Sequence, residues 1–274
     1  MKTQPFQLTT LSQSSLQDYL DCAQRFKLRY LDRLSYPAVE TEPTLENEKH
    51  QQEGEYFHRL VQQHLIGIPV EQIARFANTP NLQRWWENFQ KNSTGFHDLS
   101  GLYPEATLSA PLGKYRLLAK YDLIALQDGK AIIYDWKTYR KRPRNEWLAA
   151  RMQTRVYRAL LVNAGAHLNG GKPFEPEQIE MIYWFADFPE EPAHFPYTTA
   201  QFKRDWDLLV KLSEEIASAS SYPLTDDRQK CAFCTYRSYC ERGIRAGDIE
   251  QAEAEMEAEE LFDVDFDQIG EIAF

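Results

Sequence analysis

At 274 residues, with 43% apolar and 13% aromatic content, the chain is long enough to bury a sizeable core in one domain, or one domain plus an appendage. No run approaches the ~20 apolar residues of a membrane-spanning helix, and Met1–Phe6 is followed by no signal-peptide core, so a soluble cytoplasmic protein is expected. The net charge of -10 argues against a uniformly basic nucleic-acid binder. Eleven acidic residues fall between Asp248 and Phe274 with no Lys or Arg among them, however, which leaves 31 basic against 30 acidic residues in 1–247 and room for local basic patches.

Residues 11–34 read as a helix, with Leu16, Leu20, Phe26 and Tyr30 at helical spacing and Ser12 or Ser14 as cap. A second helix is predicted over about 46–65, with Phe57, Val61 and Leu65 on one side, and a third over 70–89, containing Trp85 and Trp86. The pattern then turns to β: Tyr103–Leu112, Lys114–Leu126 and Ala131–Lys137, with Gln127–Lys130 as a hairpin turn. A helix over about 146–163, an apolar strand at Ile179–Phe185 and a helix over about 199–217 complete a mixed α/β (α+β) domain. No internal repeat and no Gly-Lys-Ser/Thr loop is present, so no built-in ATP motor is expected.

The chemistry concentrates at the end of the third β segment. Asp135 and Lys137 share a strand face because side chains alternate, and an antiparallel neighbour can bring Asp122 beside them. Clustered carboxylates that hold a divalent cation neutralise charge on a phosphodiester and activate water, and a lysine there can polarise that water or bind the phosphate. Asp-x-Lys alone is common and equally describes solvated strand-end charges. The preceding Ala131-Ile132-Ile133-Tyr134 marks the strand as buried, where unpaired charge is costly. His58, one turn from Val61 and two from Leu65, reads alone as either a core histidine or a ligand.

Several separate motifs over most of residues 9–243 resemble the PD-(D/E)XK nuclease superfamily, specifically its RecB-type branch with an iron–sulfur cluster. That branch includes helicase-associated nuclease domains and the exonucleases of CRISPR spacer acquisition. Leu11–Cys22 with Arg25-Phe26 is similar to its N-terminal helix, and Gly54–His58 to its histidine motif. Asp122 and Asp135-Trp136-Lys137 resemble its catalytic strands, and Gln153–Tyr157 its Gln-x-x-x-Tyr helix. The chain departs from the pattern at Ala119, where the family often has Gly, and at Ala23, where it has Pro; neither change removes a chemical group.

The resemblance implies a restriction-endonuclease-like mixed sheet flanked by helices. It implies metal ligation (Mg²⁺ or Mn²⁺) by His58, Asp122, Asp135 and the Trp136 carbonyl, with Lys137 as catalytic lysine and Gln153 and Tyr157 contacting DNA or that lysine. Glu105 would be an acid near the site. Arg140, Lys141, Arg142 and Arg144, directly after the strand, could grip a DNA backbone or form a solvated loop. Arg151, Arg155 and Arg158 lie roughly opposite Gln153 and Tyr157 on a helix, which suggests solvent or partner surface.

Cys231-x2-Cys234-x5-Cys240 and the distant Cys22 supply four thiolates, the number for tetrahedral zinc or a [4Fe-4S] cluster; spacing leaves both open. The one-plus-three arrangement resembles the family's iron–sulfur staple, implying a cluster that joins the N-terminal helix to the C-terminal cysteine segment. The expected organisation is a nuclease domain over 1–247, its core at about 44–217, and an acidic tail over 248–274. Leu261, Phe262, Phe266, Ile269, Ile272 and Phe274 make that tail a candidate docking peptide for a protein partner; a solvated, disordered end and an acidic segment that occupies a DNA groove are the alternatives. The function implied is metal-dependent cleavage of DNA, exonuclease-like on single strands or ends, in DNA repair or CRISPR-type processing. A non-catalytic DNA-binding or scaffolding subunit of a helicase or integrase complex is the rival.

Overall fold

The structure is a computed structural model that describes residues 8–35, 42–93, 99–232 and 234–243. The acidic tail and its docking role lie outside them. In chain order, β1 (Thr10–Leu11) leads into α1 (Gln13–Asp21), α2 (Ala23–Phe26) and a π-helical turn, Lys27–Leu31. Ser12 caps α1 by accepting from the Ser15 N–H, and the Ser15 hydroxyl oxygen accepts from the Ser12 N–H in return. The long α3 (Glu42–Leu65) is followed by α4 (Val70–Ile73) and α5 (Pro80–Asn92), separated where Thr79 caps and Pro80 opens the new helix. The single helix predicted over 70–89 is therefore two.

The predicted three-strand meander is a bent ribbon. Its first arm is β2 (Gly101–Pro104) and β3 (Thr107–Leu112); its second is β4 (Tyr115–Lys120) and β5 (Leu123–Gln127). β3 pairs with β4 and β2 with β5, so both arms break at one level and split between two sheets. The bend is held by the Glu105 N–H donating to Asp122 O (3.0 Å) and the Tyr121 N–H to Ala106 O (2.8 Å). Glu105 takes φ 56° there, left-handed backbone that alternation cannot reveal. β6 (Lys130–Lys137) pairs antiparallel with β5 and parallel with β7 (Ile179–Phe185). β8 (Phe188–Pro196) closes the edge antiparallel to β7; Pro189, Pro192 and two glutamates obscure its strand pattern, and proline is tolerated at an edge. The sheet orders are β1-β4-β3 and β2-β5-β6-β7-β8, both mixed.

Between β6 and β7 run α6 (Asn145–Ala150) and α7 (Met152–Ala164), and after β8 come α8 (Thr199–Ser218) and α9 (Gln229–Ala232). Two cores result. Leu16, Leu117, Ile133, Val156, Leu160, Met181 and Leu209 fill the larger, on the α7 side. Phe57, Val61, Trp85, Phe89, Leu123, Trp136 and Trp184 fill the other, under α3 and α5. This is the mixed α/β class expected, and β6 is buried on both faces, which explains its nearly continuous apolar run.

The arginine stripe of α7 is a correction to the surface expected from its spacing. Arg151 and Arg158 are buried; Arg158 sits over the Tyr197 ring and donates to Pro196 O, and both Arg155 and Arg158 pair with Asp205 of α8. Helical spacing cannot show that α8 brings a counter-charge. Asp205 also accepts from the Tyr197 hydroxyl (3.0 Å). Asp205→Ala strands the buried Arg158 and Tyr197 donors, and urea unfolding is expected to show a loss of about 1–3 kcal/mol.

Candidate active site

β6 carries two functional side chains on one face. Ala131 and Ile133 enter the larger core, and the same alternation turns Asp135 and Lys137 toward α7. Both are buried, and Lys137 Nζ lies 2.8 Å from Asp135 Oδ2. A break at Arg151 ends α6 and starts α7, so Gln153 stands in the first turn of α7, facing them. Lys137 Nζ donates to Gln153 Oε1 (3.1 Å), and Gln153 Nε2 donates to Asp135 Oδ1 (2.9 Å). The three side chains close a ring in which each fixes the other two. Tyr183, beside Asp135 in the β6–β7 register, donates to Gln153 Oε1 (3.2 Å), and its ring lies 5.3 Å from Lys137 Nζ.

The second half of the site comes from the ribbon bend and from α3. Asp122 stands just before β5, at the bend, and its Oδ2 accepts from the Trp136 N–H (2.8 Å), which binds it to β6. Its Oδ1 meets His58 Nδ1 at 3.2 Å, with both side chains partly open to solvent. Burial opposes charge on His58, but attraction to Asp122, their hydrogen bond and the nearby Asp135 outweigh it, and its pKa is pushed up to about 9. Burial likewise opposes charge on Asp122, yet His58, the Trp136 N–H and Lys137 hold its carboxyl below the usual range. His58 and Asp122 are therefore both charged near neutral pH, and their pair stands beside the Lys137–Asp135 salt bridge.

An imidazole and two carboxylates are oxygen- and nitrogen-donor chemistry suited to a divalent cation. Among the described residues no trio of His, Cys, Asp or Glu is arranged to hold a metal ion: Asp122 binds His58, and Asp135 binds Lys137 and Gln153. The donor types suit such an ion, which would need the His58 imidazole without its proton. Trp136 places its indole in the second core.

The remaining candidates fall into three groups. Tyr157 is displaced from the ring: its hydroxyl donates to Lys120 O (2.7 Å), and its own carbonyl accepts from the Tyr121 hydroxyl (2.9 Å), so it braces the bend that presents Asp122. Tyr157→Phe is expected to cost about 1 kcal/mol of stability, as thermal melts will show. Glu105, also at the bend, pairs with Lys120. Of the basic run, Arg140, Lys141 and Arg144 are exposed in the loop after β6, whereas Arg142 donates to Glu191 O (2.7 Å) and Asn145 Oδ1 (2.8 Å) and lies over the Phe185 ring. Sequence reasoning missed Tyr183, although its place on the strand beside β6 was the available signal.

All four cysteines line one pocket where the N-terminal helices meet residues 224–242, together with Arg25, Lys230, Arg237 and Arg242. Burial pushes the Cys234 and Cys240 thiols up, with further contributions from neighbouring cysteines. The ends are also tied without any bound group: Lys230 pairs with Asp21 (2.6 Å), Tyr236 donates to Leu34 O (2.9 Å) and the Gln24 N–H to Pro223 O (3.2 Å).

A family model described as the PD-(D/E)XK nuclease superfamily matches residues 10–241, a span that includes every side chain of the site. Among solved structures, a "putative exonuclease" from Eubacterium rectale is similar at 10% identity and TM-score 0.49, covering 90% of this chain and 94% of the other. The crystal structure of SSO0001 is similar at 13% identity and TM-score 0.42, covering 87% and 89%. No curated protein matches.

Proposed function

We propose, from the premise that this chain belongs to the PD-(D/E)XK nuclease superfamily, that it is a Mg²⁺- or Mn²⁺-dependent deoxyribonuclease of the RecB-type branch, acting from the ends of DNA or on single strands in DNA repair or CRISPR-type processing in the cytoplasm. The observation that carries the reading is the closed Asp135–Lys137–Gln153 ring set beside the His58–Asp122 pair. Two neighbouring ion pairs carry no net charge. Loss of the His58 proton leaves one negative charge, which suits a divalent cation and then a phosphodiester.

When bound by His58, Asp122, Asp135 and the Trp136 carbonyl, the cation supplies Lewis-acid stabilisation of the phosphoryl oxygens and a more acidic water. Asp135 would orient the attacking water. Lys137, held by Gln153 and walled by Tyr183, places fixed positive charge where the phosphorus oxygens gain negative charge. Arg140, Lys141 and Arg144 grip the DNA backbone, Arg142 shapes their loop from its bonds to β8 and α6, and Glu105 sets the bend beside Asp122.

The four cysteines hold a [4Fe-4S] cluster, with zinc as the alternative; their number, thiolate chemistry and shared pocket fit it, and the basic side chains there offset the negative charge of four thiolates. Anaerobically purified protein is expected to be brown and to contain iron, and Cys234→Ser to lose the colour. Because direct bonds also tie the ends, that variant should remain folded; zinc in place of iron in the wild type would refute the cluster. The exonuclease assignment is tested with linear and circular single-stranded DNA of one sequence. Linear DNA should be degraded and circles left intact, and nicking of circles at the same rate would refute it.

A further inference from the structure

The catalytic strand does not stop at Lys137; the next residue, Thr138, is gripped from two sides by α3. His50 Nε2 lies 2.8 Å from Thr138 O, a hydrogen bond in which the ring N–H donates, and the His50 ring stands edge-on to Trp85. One turn later Gly54 faces the Thr138 side chain: a Cβ at Gly54 would lie 2.9 Å from Thr138 Oγ1, closer than such atoms approach, with Thr138 Cβ at 3.9 Å. One further turn brings His58 to Asp122. Residues 50, 54 and 58 recur at four-residue spacing, so they form one stripe on α3.

We infer that the Gly54–Thr138 contact, pinned by His50, is a joint that sets how far α3 stands from β6 and thereby places the His58 ring against Asp122. The joint is one helical turn from His58, and helix backbone between them is rigid, so a displacement at Gly54 is carried to the imidazole. Thr138 cannot yield freely, because a side chain branched at Cβ has few alternative rotamers. Glycine at 54 is required for close approach rather than for backbone freedom, since Gly54 lies inside a helix, where glycine otherwise costs stability. Gly54, His50 and Thr138 are positioning residues: they act on the site through the placement of His58. The role of His58 as ligand rests on the nuclease reading; the joint itself does not.

Four chains test it: wild type, Gly54→Ala, and Gly54→Ala combined with Thr138→Ala or with Thr138→Val. The primary readout is the ring ¹H–¹⁵N signal of His58 in metal-free protein, which reports the Asp122 contact whatever the activity. Gly54→Ala should move that signal. Adding Thr138→Ala, which removes Oγ1, should return it to the wild-type position, and adding Thr138→Val, which keeps the branched side chain with a methyl in place of Oγ1, should not. Mn²⁺ affinity should follow the same order, weakening about tenfold in Gly54→Ala and recovering only with Thr138→Ala. An unmoved signal in Gly54→Ala, or equal behaviour of the two double variants, overturns the joint. If Gly54→Ala does not fold, a folded Gly54→Ala/Thr138→Ala chain with the wild-type His58 signal supports the joint, and an unfolded one overturns it. A wild type that neither binds Mn²⁺ nor cuts DNA while the ring signals behave as expected sinks the nuclease reading and leaves the joint standing.

Discussion

Lys137→Met is expected to lower kcat by on the order of 10²–10³-fold, the loss seen when one preorganised charge is removed from a developing oxyanion, with DNA affinity changed by no more than about threefold. The methionine keeps the aliphatic stem and much of the packing against Tyr183 and Tyr139, so the missing ammonium is the principal change. Lys137→Arg should not rescue it, because a planar guanidinium cannot replace a point charge between Asp135 Oδ2 and Gln153 Oε1. Stability separates from activity here. Removing the ammonium leaves the Asp135 carboxylate buried without its counter-charge, which costs about 3–5 kcal/mol. Asp135→Asn in the same chain removes that charge, so the double variant should recover much of the stability and none of the turnover. Chemical denaturation beside single-turnover kinetics reads both, and a double variant that cleaves DNA would refute the role given to Lys137.

The second large effect is on pH. The pKa of His58 is raised from its ordinary 6.5 to about 9, so its pairing with Asp122 stabilises the metal-free protein fully below about 6.5 and is lost as pH rises through 9. Asp122 is shifted the other way, and its contribution is present above the ordinary 3.8 and lost as pH falls through its lowered pKa. A cation that takes the imidazole must displace its proton. Mn²⁺ affinity should therefore rise about tenfold per pH unit between about 6.5 and 9 and flatten above that, with roughly one proton released per ion near neutrality. Calorimetry in buffers of different ionisation enthalpy measures this directly. Asp122→Asn, which removes the main cause of the shift, should move the flattening toward 6.5. Binding without proton release near pH 7 would mean that His58 is not a ligand or carries no proton there.

How far these features were legible varies with the physics behind each. The helices, the β6 strand and the Asp135–Lys137 face follow from local periodicity and can be read from residues 131–137 and 152–164 alone. The approach of Asp122 could be anticipated from a hairpin, but not its position at a bend between two sheets, because the left-handed backbone at Glu105 leaves no mark on alternation. The burial of Arg158 and the Gly54–Thr138 contact depend on partners 47 and 84 positions away, Asp205 and Thr138. Helical spacing shows which face a residue occupies and not what packs on it. Tyr157 illustrates the same limit: it shares a face with Gln153 and yet bonds to the backbone of the neighbouring sheet.

The central claim is that the cluster of His58, Asp122, Asp135 and Lys137 hydrolyses DNA. End-labelled linear DNA incubated with anaerobically purified wild type, Lys137→Ala and Asp135→Asn, each with Mn²⁺ or with EDTA, tests it most directly. Cleavage is predicted only for the wild type with Mn²⁺. Cleavage in EDTA, equal cleavage by either variant, or none by a folded wild type with its full complement of metal would contradict it.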